Sequence, residues 1–155
     1  MKEKDLYGPM VKWLDVYVKE KFPDYDVHTL DSSQVTLESA LRTLGISLSH
    51  INGLDIQIDV LSVAVKKDDI RLFFIEAKPG TLTLNNLAQI KMYCSLANPE
   101  EAFLMTPGRL GAVEKVVNVY YRRDLLKFDS GDEDKNIVVM RWDIEAGHPN
   151  WSTAL

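Results

Sequence analysis

The stretch GLDIQIDVLSVAVKKDDIRLFFIEAK, residues 53–78, decides how the chain folds. In its first half, Leu54, Ile56, Ile58 and Val60 alternate with Asp55, Gln57 and Asp59, the two-residue period of a β-strand. The second half, IRLFFIEAK at 70–78, is rich in the β-branched and aromatic residues that suit a pleated surface. The polar KKDD at 66–69 separates the two, so the stretch reads as a β-hairpin, although it lacks the Asn-Gly pair that marks such turns most strongly.

The register of that hairpin carries a chemical consequence. With the turn centred between Lys67 and Asp68, antiparallel partners have residue numbers that sum to 135, which sets Asp59 directly across from Glu76. Directly opposed side chains share a face, with Cβ atoms about 4.5–5.5 Å apart. Two like charges so placed cost stability, and a divalent cation offsets that cost, since Mg²⁺ is held by one or two carboxylates together with substrate phosphates. Lys78 lies two residues past Glu76 and is expected on the same face, opposite Gln57. An ammonium there can position or activate a water and stabilise charge developing on a phosphate. Glu76 and Lys78 also interrupt the apolar Phe74, Ile75 and Ala77, a local rule broken where a function would explain it. The competing reading is an exposed Glu-x-Lys pair on a solvated sheet face.

Outward from the hairpin the chain alternates helix and strand. Leu6, Met10, Trp13, Leu14, Tyr17 and Val18 recur at helical spacing from Asp5 to Lys21, with Pro23 closing the segment. A short strand is expected at Tyr25–Leu30, then a turn at Asp31, Ser32 and Ser33 and a helix at Val35–Leu44 stopped by Gly45. After the hairpin, Pro79 and Gly80 precede a helix at Leu84–Ala97 whose inner stripe is Leu87, Ile90, Cys94 and Ala97. EAFLMTPG at 101–108 reads as a buried strand, Gly111–Asp124 as a third long helix, DSGDED at 129–134 as a solvated loop and NIVVMRWD at 136–143 as a final strand. The expected class is α/β: one domain with a central mixed sheet flanked by helices.

Composition narrows the function. At 155 residues and 46% hydrophobic content the chain can bury one core. It has no apolar run long enough to span a bilayer and no apolar leader at MKEKDLYGP, so a soluble, cytoplasmic protein is expected. The single Cys94 excludes an internal disulfide, and no Cys/His spacing suits structural zinc or an iron-sulfur cluster. With no Gly-x-Ser-x-Gly elbow and Cys94 on an apolar stripe, nucleophilic Ser or Cys catalysis is set aside. The net charge of −5 argues against general coating of nucleic acid, yet residues 60–128 hold 10 basic and 7 acidic side chains while both flanks are acidic.

Ile58-Asp59, a 16-residue gap and Glu76-Ala77-Lys78 at the end of a hydrophobic strand together resemble the active-site motif of the PD-(D/E)XK nuclease superfamily, whose fold is restriction-endonuclease-like. Gln89-Ile90-Lys91-Met92-Tyr93 on the next helix resembles the Gln-x-x-x-Tyr motif of its RecB-like branch. The likeness covers about residues 54–107, and Ile58 stands where the family commonly has Pro. It implies a hydrolase cutting phosphodiester bonds of DNA, less readily RNA, with Asp59 and Glu76 ligating Mg²⁺ or Mn²⁺ and Lys78 assisting the attacking water. Gln89 and Tyr93, four apart on one helix face, would position the substrate. In some relatives an acidic residue from the first helix assists, and Asp15 and Glu20 are available here; His50 is a further candidate near the site. Arg109, Lys115, Arg122 and Arg123 are candidate phosphate contacts, and a homodimer or larger protein complex would extend so small a binding surface. The alternative is a non-catalytic module of the same fold that binds protein or nucleic acid.

Overall fold

The computed structural model describes residues 1–128 and 134–155, so all of the expected acidic loop except Asp134 lies outside the described residues. Helix α1 (Lys4–Lys21) forms because Leu6, Met10, Leu14 and Val18 repeat every four residues and all four are buried. It is followed by β1 (Asp26–Asp31) and α2 (Leu37–Thr43), the latter capped by the Thr36 hydroxyl, which accepts from the Ser39 N–H. Then come β2 (Val60–Lys66), β3 (Asp69–Ala77), α3 (Leu84–Ala97), β4 (Glu101–Thr106), α4 (Gly111–Glu114), β5 (Val138–Asp143) and β6 (His148–Asn150).

The six strands form one mixed sheet in sequence order. β2 runs antiparallel to both β1 and β3, β3, β4 and β5 are parallel, and β6 returns antiparallel on β5. The β2–β3 partners run from Val60↔Ile75 to Lys66↔Asp69, the register expected from the sequence. Lys67 supplies the positive φ, 56°, that a two-residue hairpin turn needs. Parallel β3 and β4 require a crossover, which α3 provides, with Thr83 and Asn86 closing a capping box at its start.

Both faces of the sheet are covered, which explains the unbroken apolar run at the centre of β3. Phe73, Ile75 and Ala77 face α1 together with Val60, Ala64, Phe103 and Met105. Leu72 and Phe74 face α2, α3 and α4 with Leu61, Val63, Ile90 and Leu104. Under α1 the β2 residues are small, and Ser62 shares a 2.8 Å hydrogen bond with Thr29, whose hydroxyl donates to Asp15 of α1.

Three expectations are corrected. The strand expected from Leu54 begins only at Val60. Residues 54–58 keep the alternating burial, Ile56 and Ile58 inside, but their carbonyls bond to the α2 region: Ile56 to the Leu37 N–H and Ile58 to the Ser32 hydroxyl. The ladder ends at Val60↔Ile75, so Asp59 and Glu76 do not form the expected strand pair, Gln57 has no ladder partner, and Lys78 is not opposite it. The helix expected to reach Asp124 stops at Val119, where α4 passes into a π-helical turn (Lys115–Val119), and a separate 3₁₀ turn covers Arg123–Leu126. The short β6, His-Pro-Asn, carries no alternation from which to expect it.

Gly111 fixes where α4 starts. Its φ is +59°, and a Cβ there would lie 2.5 Å from the Leu82 carbonyl oxygen and 2.6 Å from the Thr81 methyl. Gly111→Ala is expected to cost on the order of 2 kcal/mol, lowering Tm by about 4–8 °C in calorimetry. Gly45→Ala, at a similar φ of +74° in open space, should cost less.

Candidate active site

The candidate site lies at the carboxyl ends of β3 and β4, where open α/β sheets generally present their ligands. There the antiparallel backbone ladder between β2 and β3 gives out, and side chains take over its hydrogen bonds. The Ala77 N–H, which points toward β2, donates to Asp59 Oδ2 at 2.9 Å. On the other side of the same strand end, the Lys78 N–H donates to the Met105 carbonyl at 3.0 Å, extending the parallel pairing by one residue. Asp59 and Lys78 are thus anchored to either flank of the β3 terminus, with Glu76 between them.

Glu76 is buried, 4% exposed, on the sheet face shared with Phe74 and Leu72. Its Oε1 lies 3.2 Å from Lys78 Nζ, whereas its Oε2 is buried without a hydrogen-bond partner among the described residues. Burial, and then the neighbouring Asp59 charge, push its pKa up to about 8 despite the attraction of Lys78. Asp59 is also held above the usual carboxylate range, burial outweighing the Ala77 N–H. Burial disfavours a charged Lys78, but Glu76, Glu3 and Asp59 together lift its pKa above the ordinary lysine value. The three residues singled out by the sequence are therefore brought into one electrostatically coupled group.

Two further members come from the start of the chain. The Tyr7 hydroxyl donates to Asp59 Oδ1 at 3.2 Å, and Lys78 Nζ donates to Glu3 Oε1 at 3.3 Å. Burial, then the charges of Asp59 and Glu3, raise the Tyr7 phenol far above its normal range, so it remains a donor at any working pH. Tyr7 stands at helical spacing with Met10 and Leu14, which marks it as inward-facing but gives no hint that its hydroxyl would meet Asp59, 52 residues away. Glu3 precedes the helix and carries no periodic signal.

The acidic residue from this part of the chain is accordingly Glu3, and neither Asp15 nor Glu20. Asp15 binds Lys19 at 2.7 Å and Thr29 at 2.8 Å, while Glu20 is exposed. His50 is also misplaced by the expectation. It borders a cavity with Asp69, Arg71 and Glu100 at the amino end of β3, the far end of the strand from Glu76. Gln89 donates to the Tyr93 hydroxyl at 3.4 Å, so the two share a face of α3, but neither bonds to the carboxylate group among the described residues. Cys94 is buried, and burial with the Glu76 charge keeps its thiol protonated, which suits packing rather than nucleophilic attack.

Glu76 and Asp59 are hard oxygen donors, and the partnerless Glu76 oxygen beside a second carboxylate fits a divalent cation such as Mg²⁺ or Mn²⁺. No set of three or more His, Cys, Asp or Glu side chains is gathered to hold a metal among the described residues, so the remaining ligands would be water and substrate oxygen. Comparison with protein-family models, curated proteins and solved structures returns no match to this chain.

The raised Glu76 pKa has a sign. The folded state keeps a proton that the unfolded chain releases above about pH 4.5, so metal-free stability falls as pH rises from there through about 8. Melting in EDTA should show Tm declining between pH 5 and pH 8.5, and Glu76→Gln should remove much of that decline. Equal slopes for the two proteins would refute the coupling.

Proposed function

We propose that this chain is a metal-dependent nuclease of the PD-(D/E)XK type, hydrolysing phosphodiester bonds of DNA and less readily of RNA. One observation carries the reading: a buried glutamate with a partnerless oxygen sits between an aspartate and a lysine at the carboxyl end of the central strand. Structural ion pairs do not need a second buried carboxylate, and without a cation that carboxylate is a net cost. The α/β architecture, with the motif on a β-hairpin and a helix crossing to a parallel strand, supports a restriction-endonuclease-like core.

In this reading Asp59 and Glu76 hold Mg²⁺ or Mn²⁺. The ion supplies charge neutralisation at the phosphoryl oxygens and lowers the pKa of a bound water. Tyr7 and the Ala77 N–H fix the Asp59 carboxylate, each donating to a different oxygen, so its remaining lone pairs are directed. Lys78, held between Glu76 and Glu3, stays protonated, and its ammonium orients the water and faces the charge that builds on the phosphate. Gln89 and Tyr93 line the next helix as positioning groups for the substrate backbone. A second copy of the chain or a larger complex would enlarge the binding surface.

The test is incubation of the full chain with single-stranded, double-stranded and branched DNA and with RNA, in Mg²⁺ or Mn²⁺. Cleavage is expected to fall at least about 100-fold in Lys78→Ala and to vanish in Asp59→Ala. In parallel, saturating Mn²⁺ should raise the wild-type Tm by about 5–10 °C and leave Asp59→Ala unmoved. Cleavage unchanged in Lys78→Ala would defeat the assigned roles. A metal-dependent Tm shift with no cleavage of any substrate would favour the non-catalytic module.

A further inference from the structure

The segment that follows α4 presents a surface the carboxylate site does not use. Every residue from Asn118 to Asp124 is exposed, and within that run Val119, Tyr120 and Tyr121 are 58%, 57% and 86% exposed. Single apolar side chains on a surface are ordinary, but three in succession need a reason. The backbone holds them out. After the π-helical turn, Tyr121 adopts φ 56°, a conformation that bulky residues rarely enter, and the Arg122 N–H closes the turn on the Val116 carbonyl at 2.9 Å. Outliers of this kind persist where the surrounding structure enforces them, commonly at binding sites.

Positive charge surrounds these rings. Residues 109–123 carry four basic side chains and one acidic, in a chain whose net charge is −5. Lys115 Nζ stands 5.8 Å from the Tyr120 ring centroid. Arg122 is neutralised by two 2.9 Å hydrogen bonds to Asp124, whereas Arg109 and Arg123 have no ion pair among the described residues. Arg109, Lys115 and Arg141 line a groove of about 390 Å³ against a single acidic residue, Glu114, and Asn118 joins it to a second groove walled by Tyr121 and Arg123, where Asp124 is already paired with Arg122. The first groove starts beside the turn that follows Lys78. There the Leu82 N–H donates to the Arg109 carbonyl at 3.0 Å, and Gly108 packs so tightly on Gly80 that an added Cβ would lie 3.0 Å from the Gly80 carbonyl carbon.

We infer that this surface binds a single-stranded polynucleotide, with Tyr120 and Tyr121 stacking on unpaired bases and Arg109, Lys115, Arg123 and Arg141 following its backbone. Stacking on tyrosine needs exposed base faces, which a duplex conceals, and a cationic groove supplies affinity independent of sequence. The inference rests on the nuclease reading for its purpose, since the groove leads toward the Lys78 end of the sheet, and names the substrate that reading leaves open.

Fluorescence anisotropy in EDTA, where no cutting occurs, tests it with labelled oligomers of about 12 nucleotides. The probes are single-stranded DNA, single-stranded RNA and the corresponding DNA duplex. Single strands are expected to bind more tightly than duplex, and the stronger of the two single-strand arms identifies the source. Tyr121→Ala should weaken single-strand binding about 10-fold, and Arg123→Ala should lower the slope of log affinity against log salt by about 0.7. Both side chains are exposed, and unchanged melting curves will verify that each variant folds. The inference is overturned if the wild type binds neither single strand, if duplex binds equally well and Tyr121→Ala has no effect, or if Tyr121→Ala only dissociates a dimer seen by sedimentation. An Mn²⁺ thermal shift without strand binding would remove this inference and leave the carboxylate site standing. Strand binding without metal shift or cleavage would do the reverse.

Discussion

Two carboxylates, Glu76 buried and Asp59 half-buried, repel each other at one corner of the sheet, and most of what is distinctive in this protein follows from the hairpin whose end puts them there. The β2–β3 pairing is held by large side chains on both faces, with Phe73 and Ile75 under α1 and Leu72 and Phe74 under α3. A slip of one residue would exchange those faces and drive Asp59 and Glu76 apart. The apolar packing that stabilises the sheet therefore also enforces an electrostatic conflict at its end. Lys78 relieves part of that conflict, but one Glu76 oxygen has no hydrogen-bond partner among the described residues, and burial with the Asp59 charge pushes the carboxyl pKa up to about 8.

Helix α1 completes the corner. Its inner stripe covers the centre of the sheet, and this placement alone brings the amino end of the helix over the carboxyl ends of β3 and β4. Tyr7 then reaches Asp59, and Glu3 reaches Lys78, from the side of the sheet opposite α3. The site draws on both layers although the motif belongs to one hairpin. A loss of packing under α1, as at Met10 or Leu14, would consequently disturb the site without touching any of its polar groups.

Much of this was legible in the sequence because it depended on period and on turn position. The helix at Leu84–Ala97 and the β2–β3 register from Val60↔Ile75 to Lys66↔Asp69 both follow from local patterns, and just past the end of that ladder the Ala77 N–H holds Asp59 beside Glu76. What could not be read was governed by distant contacts. Residues 54–58 alternate like a strand, but α2 claims their carbonyls, so the ladder begins at Val60. The helix expected over Gly111–Asp124 is broken by a π turn and the left-handed Tyr121, and no Gly or Pro announces the break. Glu3 and Tyr7 were invisible as site residues because their partners lie 75 and 52 positions away. Asp15 and Glu20 were offered only by the resemblance, with nothing to single either out, and the way α1 lies on the sheet brings Glu3 to Lys78 instead.

The charge distribution gives the parts a common logic. A chain with five excess negative charges approaches phosphate poorly overall, so any affinity for nucleic acid has to be local. The acidic side chains at the sheet end would oppose such a ligand too, unless a cation converts them into an attractive centre. The basic surface beginning at Arg109 lies beyond the turn that follows Lys78, so under the proposed function attraction and chemistry would occupy neighbouring but separate ground. That separation has a physical advantage, because arginines placed within the carboxylate corner would pair with Asp59 and Glu76 and, under the proposed function, compete with the ion. A lysine held by Glu3 as well as Glu76 avoids the difficulty: it stays charged and close, yet its ammonium, shared between two carboxylates, meets only one Glu76 oxygen and leaves the other without a hydrogen-bond partner among the described residues.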